Sequence, residues 1–464
     1  MSHKYGIENR FQVIEIKGEE CMNSFLRGTI ILAGAAFISE CIEFLINLTL
    51  AKELGEYGIG QYMTVIPVIG LLMIIASFEL DISVSKFVAE REEKYHLTLL
   101  RFAMKLTFLI MTVLLTGVAI MFIFFPLFSE IHPAIRWLIL LLIPILTVAS
   151  IARGYFMGIQ KMSKIATANL FRRGTHLFLL VLLFQLFDFE LEMSILVALC
   201  AIIGSELLVL IYLMSAYFMQ IKYLKSRPVE RISKNKILRS LMEVSLPTTA
   251  MRIFYAVTHA IQPFFIKFIL VSAGLSMNEA TEHFGMVTGV AMTIGFFPAF
   301  IAHSLNTALI PNVSNAFVNT DQSRLVRLLR QVIGLTMLYG VPVCFLFYYF
   351  ANPLTSMFVK SSMASYYLQL MWPYFLLHYF TIPLQAFLIG MGMVKHAFIH
   401  NIWATVVTFV IMYLFGSSSV FQMDGVILGM NTGAMVLMLL HYFVVCKKIG
   451  ISLTLSKKEP MYYE

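Results

Sequence analysis

The sequence has few charged residues: Asp, Glu, Lys and Arg together occupy 13% of its 464 positions, about half of their share in a typical soluble domain. This scarcity excludes an ordinary cytosolic enzyme and a disordered chain, because both carry a charged, solvated surface. Cysteine is scarce as well, and the five cysteines are far apart, so we predict neither a disulfide framework nor a metal site. The sequence also lacks a P-loop, an HExxH motif and paired CxxC motifs, and we therefore expect neither an ATP-driven pump nor an enzyme.

Apolar residues make up most of the chain instead. Hydrophobic residues fill 59% of the positions, and the mean hydropathy is +0.82. A helix that crosses a bilayer needs about 20 mostly apolar residues, and the sequence contains twelve such runs. The predicted spans are 24–51, 58–85, 102–127, 134–157, 164–187, 193–219, 241–270, 283–310, 328–350, 364–390, 396–416 and 424–446. We predict an all-α polytopic membrane protein of about 12 transmembrane helices.

Positive charge is concentrated on one side of these spans. If both termini are cytosolic, 26 of the 34 Lys and Arg residues lie on the inner side, three lie in outer loops and five lie in or at the ends of spans. By the positive-inside rule, this predicts a multi-pass membrane protein with both termini in the cytosol. We interpret the basic segment 220–240 as a linker that contacts anionic membrane lipids. No aromatic platform accompanies it, so we do not expect nucleic-acid binding.

Two stretches of the sequence repeat each other at a fixed distance. Residues 158–164 are followed by Asn169, and the similar residues 390–396 are followed by Asn401, 232 positions later. Six spans in each half keep both halves in one orientation, which is typical of transporters whose two lobes rock about a central cavity. The predicted segments are a polar extension at 1–22, an N-lobe at 23–222, a basic cytosolic linker at 223–240, a C-lobe at 241–450 and a cytosolic tail at 451–464. Prolines inside spans mark kinks; we predict hinges at Pro67 and Pro298, with a bent helix at Pro298.

Polar side chains inside the predicted spans are the candidate site, because ionisable groups are costly in hydrocarbon and usually face an interior cavity. Glu40, Glu43 and Asn47 follow i, i+3, i+7 spacing and therefore share one helical face. Two interpretations stay open for the acids: a cation or proton site, or structural pairs with nearby arginines. Glu79 and Asp81 lie near Lys86, and we interpret them as structural pairs at the membrane interface.

Arginines suit an anionic ligand, because the guanidinium fork binds phosphate with two parallel hydrogen bonds. The alternative is that they snorkel to the inner interface. We expect this of at least one of Arg172 and Arg173, since neighbours on a helix cannot both face one cleft. The candidate cavity residues are Glu40, Glu43, Asn47, Arg153, Arg172, Arg173, Glu206, Arg252, His259, Gln262 and Asn306.

Several stretches resemble a known family, above all 153–160 (RGYFMGIQ), 82–90 (ISVSKFVAE) and 304–314 (SLNTALIPNVS). They resemble the stage V sporulation protein B group of polysaccharide-biosynthesis membrane proteins, in the multidrug/oligosaccharidyl-lipid/polysaccharide (MOP) flippase superfamily. The resemblance implies a transporter that moves a lipid-linked sugar precursor across the bacterial cytoplasmic membrane, in the context of the spore cortex. We expect the protein to be monomeric, with cell-wall synthases as neighbours. Members of this family often carry Arg at the position of Glu40 and at about the position of Asn47. A cavity with acids in place of these arginines is less suited to a pyrophosphate.

The sequence is also compatible with two alternative functions. The acids favour an exporter of small molecules coupled to H⁺ or Na⁺, without any other cofactor; a scaffold for envelope synthases that does not transport is the third option. Residues 1–21 lie outside the resemblance. Residues 17–20 (KGEE) can be encoded by a ribosome-binding sequence, so we expect translation to start at Met22.

Overall fold

The computed structural model describes residues 2–124, 132–230 and 232–453, so most of the predicted tail at 451–464 lies outside the described residues. The N-terminal half contains α1 (Ser2–Ser77), α2 (Leu80–Glu90), a 3-10 turn (Glu93–Tyr95), α3 (His96–Phe124), α4 (Ala134–Gly158), α5 (Met162–Leu186) and α6 (Leu191–Lys225). The C-terminal half contains α7 (Lys234–Ser272), α8 (Met277–Gly285), a π-helical turn (Met286–Ala291), α9 (Met292–Phe296), α10 (Ala299–Val318), α11 (Gln322–Tyr349), α12 (Ala351–Ser356), α13 (Ser362–Leu370), α14 (Trp372–Gly390), α15 (Val394–Gly416) and α16 (Met423–Ile449). The predicted all-α polytopic fold is confirmed.

Eight helices of the described chain are long and apolar enough to cross a membrane, or nine if a bent pair counts as one span. The first of them, Phe37–Glu90, has 54 residues, more than twice what one crossing needs. Gly55 interrupts it with φ 65° and ψ −171°, a conformation that is nearly exclusive to glycine, so this helix provides the first two predicted spans. The predicted spans in α5 and α14 are not among these eight helices. Helix α5 is less apolar because it contains Arg172, Arg173 and His176.

The helices repeat the spacing seen in the sequence. The starts of α5 and α15, at Met162 and Val394, lie 232 positions apart, and so do the starts of α6 and α16. The ends of α4 and α14, at Gly158 and Gly390, have the same separation. The two halves are therefore built from helices in matching register over their last three spans.

The two predicted hinge prolines lie in different backbone environments. At Pro298 the helix bends by 58° between Met277–Phe296 and Ala299–Asn306, which confirms the bent helix. At Pro67 α1 continues without interruption as far as Ser77. The first break in the helix after Pro67 is at Phe78 and Glu79, which have positive φ values of 46° and 49°. Motion about either proline stays a prediction.

The bundle has two ends that differ in their loops. We call the end with the loops 91–95, 159–161, 226–233, 319–321 and 391–393 the basic face, and the opposite end the acidic face. Near the acidic face one hydrophobic cluster joins both halves, for example Ile59 and Leu199 with Val287 and Phe375. Near the basic face there are two separate clusters. One belongs to the N-terminal half with the first turns of α7, and the other belongs to the C-terminal half. The halves thus share one cluster at the acidic face, whereas near the basic face α7 packs with the N-terminal half and the third cluster lies within the C-terminal half.

Two glycines make the packing at the acidic face very close. A Cβ at Gly60 would collide with the carbonyl oxygen of Thr281, and a Cβ at Gly285 would lie 2.6 Å from the backbone nitrogen of Gly60. Backbone therefore touches backbone where α1 crosses α8. This contact joins one helix of each half near the acidic face.

Candidate functional site

A polar cavity of about 560 Å³ lies between the halves at mid-depth of the bundle. Helices α1, α5 and α6 form one wall, and the π-helical turn with α9 forms the other. Its polar lining residues are Glu43, Asn47, Tyr62, Arg172, Arg173, His176, Ser205, Glu206, Thr288 and Thr293. Ionisable side chains at this depth are costly unless they are paired, so the pairing within this set decides what the cavity can bind.

Arg172 and Glu206 form the best-defined pair of the cavity. Arg172 Nη1 donates to Glu206 Oε1 at 3.1 Å, and Glu206 is only 2% exposed. Among the residues that the structure describes, Arg172 Nε is buried without a hydrogen-bond partner. A guanidinium has five N–H donors, so part of the donor capacity of Arg172 is unused.

Arg173 connects α5 to α1. Its Nη1 donates to the carbonyl oxygen of Ser39 at 2.6 Å and lies 3.8 Å from Glu40 Oε1 and 3.9 Å from Glu43 Oε2. Both separations exceed the distance of a charge-assisted hydrogen bond. The carboxylates therefore compensate the charge of Arg173 while leaving its fork open to another acceptor.

The expectation that Arg172 and Arg173 cannot both face the cavity is wrong. Both line it, because their long side chains diverge: one reaches α6 and the other reaches α1. Glu43, Asn47 and Glu206 also line it, and Glu40 is held beside it by Arg173. Glu40 and Glu43 are thus paired with an arginine, as the structural interpretation expects. The pairing lies at the cavity wall, as the interpretation of a cation or proton site also requires.

Arg252 lies elsewhere, at the contact between α7 and the break that precedes α2. Its Nη1 lies 2.8 Å from Glu79 Oε1; the Arg252 side chain is 54% exposed and that of Glu79 is 2% exposed. Ser245 donates to Ser83 at 2.8 Å beside this pair. The interpretation of Glu79 as a structural partner holds, but its partner is Arg252, since Lys86 pairs with Glu90 at 3.8 Å.

The remaining candidates do not line the central cavity. His259 and Gln262 line a smaller cavity of about 160 Å³ within the C-terminal half, together with Asn401 and His378. Arg153 is half-buried on α4. Asn306 is half-buried on α10, and its Oδ1 is buried with no hydrogen-bond partner in the described part of the chain. As binding residues, these positions stay predictions.

The sequence reasoning missed five polar residues of the cavity: Tyr62, His176, Ser205, Thr288 and Thr293. His176 could have been found, because it follows Arg172 by four positions and therefore shares its helical face. Ser205 directly precedes Glu206. Tyr62 had no comparable signal, since a tyrosine in an apolar span is ordinary packing.

The chain is similar to known proteins over most of its length. The family model described as "Polysaccharide biosynthesis protein" matches residues 25–316, and the one described as "MatE" matches residues 286–414. "Sporulation protein YkvU" of Bacillus subtilis (strain 168) is 46% identical over 435 residues, which cover 94% of this chain and 98% of that protein. "Stage V sporulation protein B" of the same organism is 29% identical over 454 residues, with 94% and 86% covered.

A solved structure shares the fold. It is the inward-facing conformation of a multidrug resistance MATE family transporter of the MOP superfamily, with a TM-score of 0.70. The match covers 89% of this chain and 94% of that one, at 16% identity. At this identity the similarity concerns the arrangement of helices alone.

Proposed function

This chain belongs to the polysaccharide biosynthesis protein family, within the MOP superfamily of transporters, and from that premise we propose that it flips a lipid-linked sugar precursor across the bacterial cytoplasmic membrane. The context we propose is spore formation, with a cortex peptidoglycan precursor as the cargo. The two relatives named as sporulation proteins support this context. The basic face is the cytosolic one in this proposal.

The observation that carries the proposal is the pair of adjacent arginines with unused donors in the cavity wall. A phosphate or pyrophosphate offers several acceptor oxygens and two or more negative charges, which match two guanidinium forks. An anionic head group can therefore accept hydrogen bonds from the unused N–H groups of Arg173. It then competes with Glu40 and Glu43 as the partner that compensates the positive charge of Arg173. The buried pair of Arg172 with Glu206 keeps the neighbouring guanidinium in position.

The separation of the two basic-face clusters supports entry of the head group from that side. Rocking of the halves would then close the basic face and open the acidic face, as in other transporters with parallel repeats. The head group is released when Arg173 is hydrated and pairs again with Glu40 and Glu43. No covalent step is needed, so the chain acts here as a transporter.

The test is mass spectrometry of the lipids that co-purify with the protein, combined with a flipping assay in proteoliposomes. We expect a pyrophosphate-linked lipid with the wild type and roughly tenfold less of it with Arg173→Gln, because a charge-assisted contact of about 1.5 kcal/mol is lost. Arg239→Gln is the matched control, since it removes one arginine from an exposed pair with Glu243. Equal lipid in all three proteins contradicts the proposal, and equal envelope function in all of them favours the scaffold.

A second function is favoured by the acids of α1. Glu40 and Glu43 lie beside the cavity and on one helical face, an arrangement that suits an exporter coupled to H⁺ or Na⁺. Under this alternative Glu43→Gln abolishes the dependence of transport on the ion gradient, whereas Arg173→Gln leaves export of small cationic molecules intact. Measuring both variants against both cargo classes separates the two functions.

A further inference from the structure

The wall of the central cavity that the C-terminal half provides differs from the wall with the arginines. The described residues of this wall that line the cavity are Thr288, Met292, Thr293 and Phe296. None of these four is charged, and only the two threonines have polar side chains. The groups that suit a phosphate therefore lie on one side of the cavity, and the opposite side presents a different chemistry to whatever is attached to the phosphate.

A π-helical turn brings the two threonines towards one face. Thr288 and Thr293 are five positions apart, and residues at this spacing in an α-helix lie about 140° apart around the axis. The turn at Met286–Ala291 is π-helical, so its hydrogen bonds span five residues instead of four, and residues five apart approach the same face. Both threonines consequently line the cavity. Turns of this kind are frequent at functional sites.

The hydroxyl hydrogens of this pair are already used within the helix. Thr288 Oγ1 donates to the carbonyl oxygen of Phe284 at 2.7 Å, and Thr293 Oγ1 donates to that of Gly289 at 2.8 Å. A hydroxyl has one donor hydrogen and two acceptor lone pairs, so each threonine offers the cavity only an acceptor. The threonine wall therefore selects a ligand group that donates hydrogen bonds, and it does not suit a phosphate or a carboxylate.

Phe296 adds an apolar surface beside these acceptors. Its ring contacts those of Tyr374, Phe375 and His378, which lie 5.5–5.9 Å away and nearly perpendicular to it. The face of an aromatic ring is electron-rich, so the polarised C–H bonds of a sugar ring can pack on it. Hydroxyl or amide donors next to a surface of C–H bonds are the features of a neutral sugar.

We propose that the wall of Thr288, Thr293 and Phe296 is the subsite for the sugar next to the pyrophosphate, and that it selects a neutral sugar whose hydroxyl or acetamido groups donate hydrogen bonds. The inference rests on the proposed function and specifies its cargo. Because the arginines are then occupied by the pyrophosphate, the carboxylate of a uronic acid would find only acceptors on this wall. The cavity volume of about 560 Å³ lies within the range of pockets for small molecules, about 300–1,000 Å³, which suits a head group of few sugars rather than a polymer.

The first experiment uses the wild type and so does not depend on folding of a variant. The probes are three esters of geranyl pyrophosphate, whose terminal phosphate carries N-acetylglucosamine, glucuronic acid or a methyl group, and their dissociation constants are measured by isothermal titration calorimetry. The methyl ester has the same pyrophosphate charge as the N-acetylglucosamine ester but no sugar. We expect the N-acetylglucosamine ester to bind at least about fivefold more tightly than the methyl ester, the size of one hydrogen bond between neutral groups. The glucuronic acid ester should bind no more tightly than the methyl ester.

The second experiment removes one acceptor at a time. We expect Thr288→Val and Thr293→Val each to weaken binding of the N-acetylglucosamine ester about fivefold and to leave binding of the methyl ester unchanged. Thr288→Ser and Thr293→Ser keep the oxygen and should bind both probes as the wild type does. Thr432→Val is the matched control, because Thr432 makes the same kind of bond within its own helix, to the carbonyl oxygen of Leu428 at 2.8 Å, and does not line the cavity.

The outcomes separate the two proposals. Equal affinity of the wild type for the N-acetylglucosamine ester and either of the other esters overturns the sugar subsite and leaves the proposed function intact. Unchanged binding of the N-acetylglucosamine ester by both valine variants overturns it as well, and so does an equal loss of the methyl ester, which would place the threonines in pyrophosphate binding. If the wild type binds none of the three esters, the proposed function itself fails.

Discussion

At the scale of single residues, the cavity depends on arginines that are only partly satisfied by their carboxylate partners. Arg172 and Glu206 share one hydrogen bond, and Arg173 contacts Glu40 and Glu43 at longer range. Such an arrangement fulfils two needs at once. It keeps the charges compensated in the empty cavity, and it leaves donors available to an anionic head group.

Removing one partner of the buried pair should destabilise the protein. Arg172→Ala leaves the carboxylate of Glu206 buried and unpaired, which costs about 3–5 kcal/mol for a buried ion pair. We expect a clear fall in the thermal midpoint of the detergent-solubilised protein, measured by tryptophan fluorescence. The double variant Arg172→Met/Glu206→Leu removes both charges and should recover most of the loss. Equal stability of Arg172→Ala and wild type would show that the pair has no structural role.

At the scale of elements, the crossing of α1 and α8 fixes which face is closed. Gly60 and Gly285 let the two backbones meet, and a side chain at Gly60 has no room against Thr281. The contact involves one element from each half. Its loss should therefore change how the halves pack at the acidic face, while each half keeps its own core.

Gly60→Val tests this closure. The added side chain should force α1 and α8 apart and open the acidic face, so that a cysteine introduced at Thr288, in the cavity wall, reacts faster with a membrane-impermeant maleimide added on that side. Gly334→Val on α11 is the control, because a Cβ there meets nothing within 4 Å and Gly334 does not line the cavity. Unchanged labelling in Gly60→Val would mean that this crossing does not close the cavity.

The linker between the halves is attached to the N-terminal half through Glu230. The backbone nitrogen of Glu230 donates to the carbonyl oxygen of Lys94 at 3.0 Å, and Lys94 Nζ lies 3.2 Å from Glu230 Oε1. Hydrogen bonds from Tyr95 and Lys94 lower the pKa of the Glu230 carboxyl below its usual value. Because the folded pKa is lowered, this attachment is stabilising above the unfolded pKa and is lost as the pH falls through the folded one.

Acidification should therefore release the linker. A spin label at Val229→Cys, which is exposed, should become more mobile as the pH drops below about 4.3, the ordinary glutamic acid value. Adding Glu230→Gln should give the mobile spectrum already at pH 7, whereas Glu243→Gln should leave the label restrained. The same mobility at neutral and acidic pH would exclude this role of Glu230.

The elements show how far sequence reasoning reaches. Each predicted span overlaps a helix, and the bend at Pro298 was predictable because proline removes a helical hydrogen bond. The pairing of Arg252 with Glu79 and the contact of Gly60 with α8 were not. Both join residues from different halves, and they depend on how the halves pack, for which no local pattern in the sequence exists.

At the scale of the whole molecule, the two halves hold the cavity between the acidic face and the basic face. One hydrophobic cluster crosses between the halves on the closed side, and two clusters remain apart on the other. Transport by this fold requires the reverse arrangement as well, with the basic-face clusters together and the acidic-face contact broken. We therefore expect the halves to move as two bodies about the cavity.

The most direct measurement of that motion is the distance between spin labels at Lys161→Cys and Lys395→Cys. Both positions are exposed at the basic face. Lys161 directly precedes α5, and Lys395 lies in the first turn of the corresponding helix α15. In lipid nanodiscs with a sugar-linked lipid pyrophosphate, pulsed electron paramagnetic resonance should reveal two distance populations, the shorter one enriched by Gly60→Val. A single distance, unchanged by substrate and by Gly60→Val, would contradict alternating access in this protein.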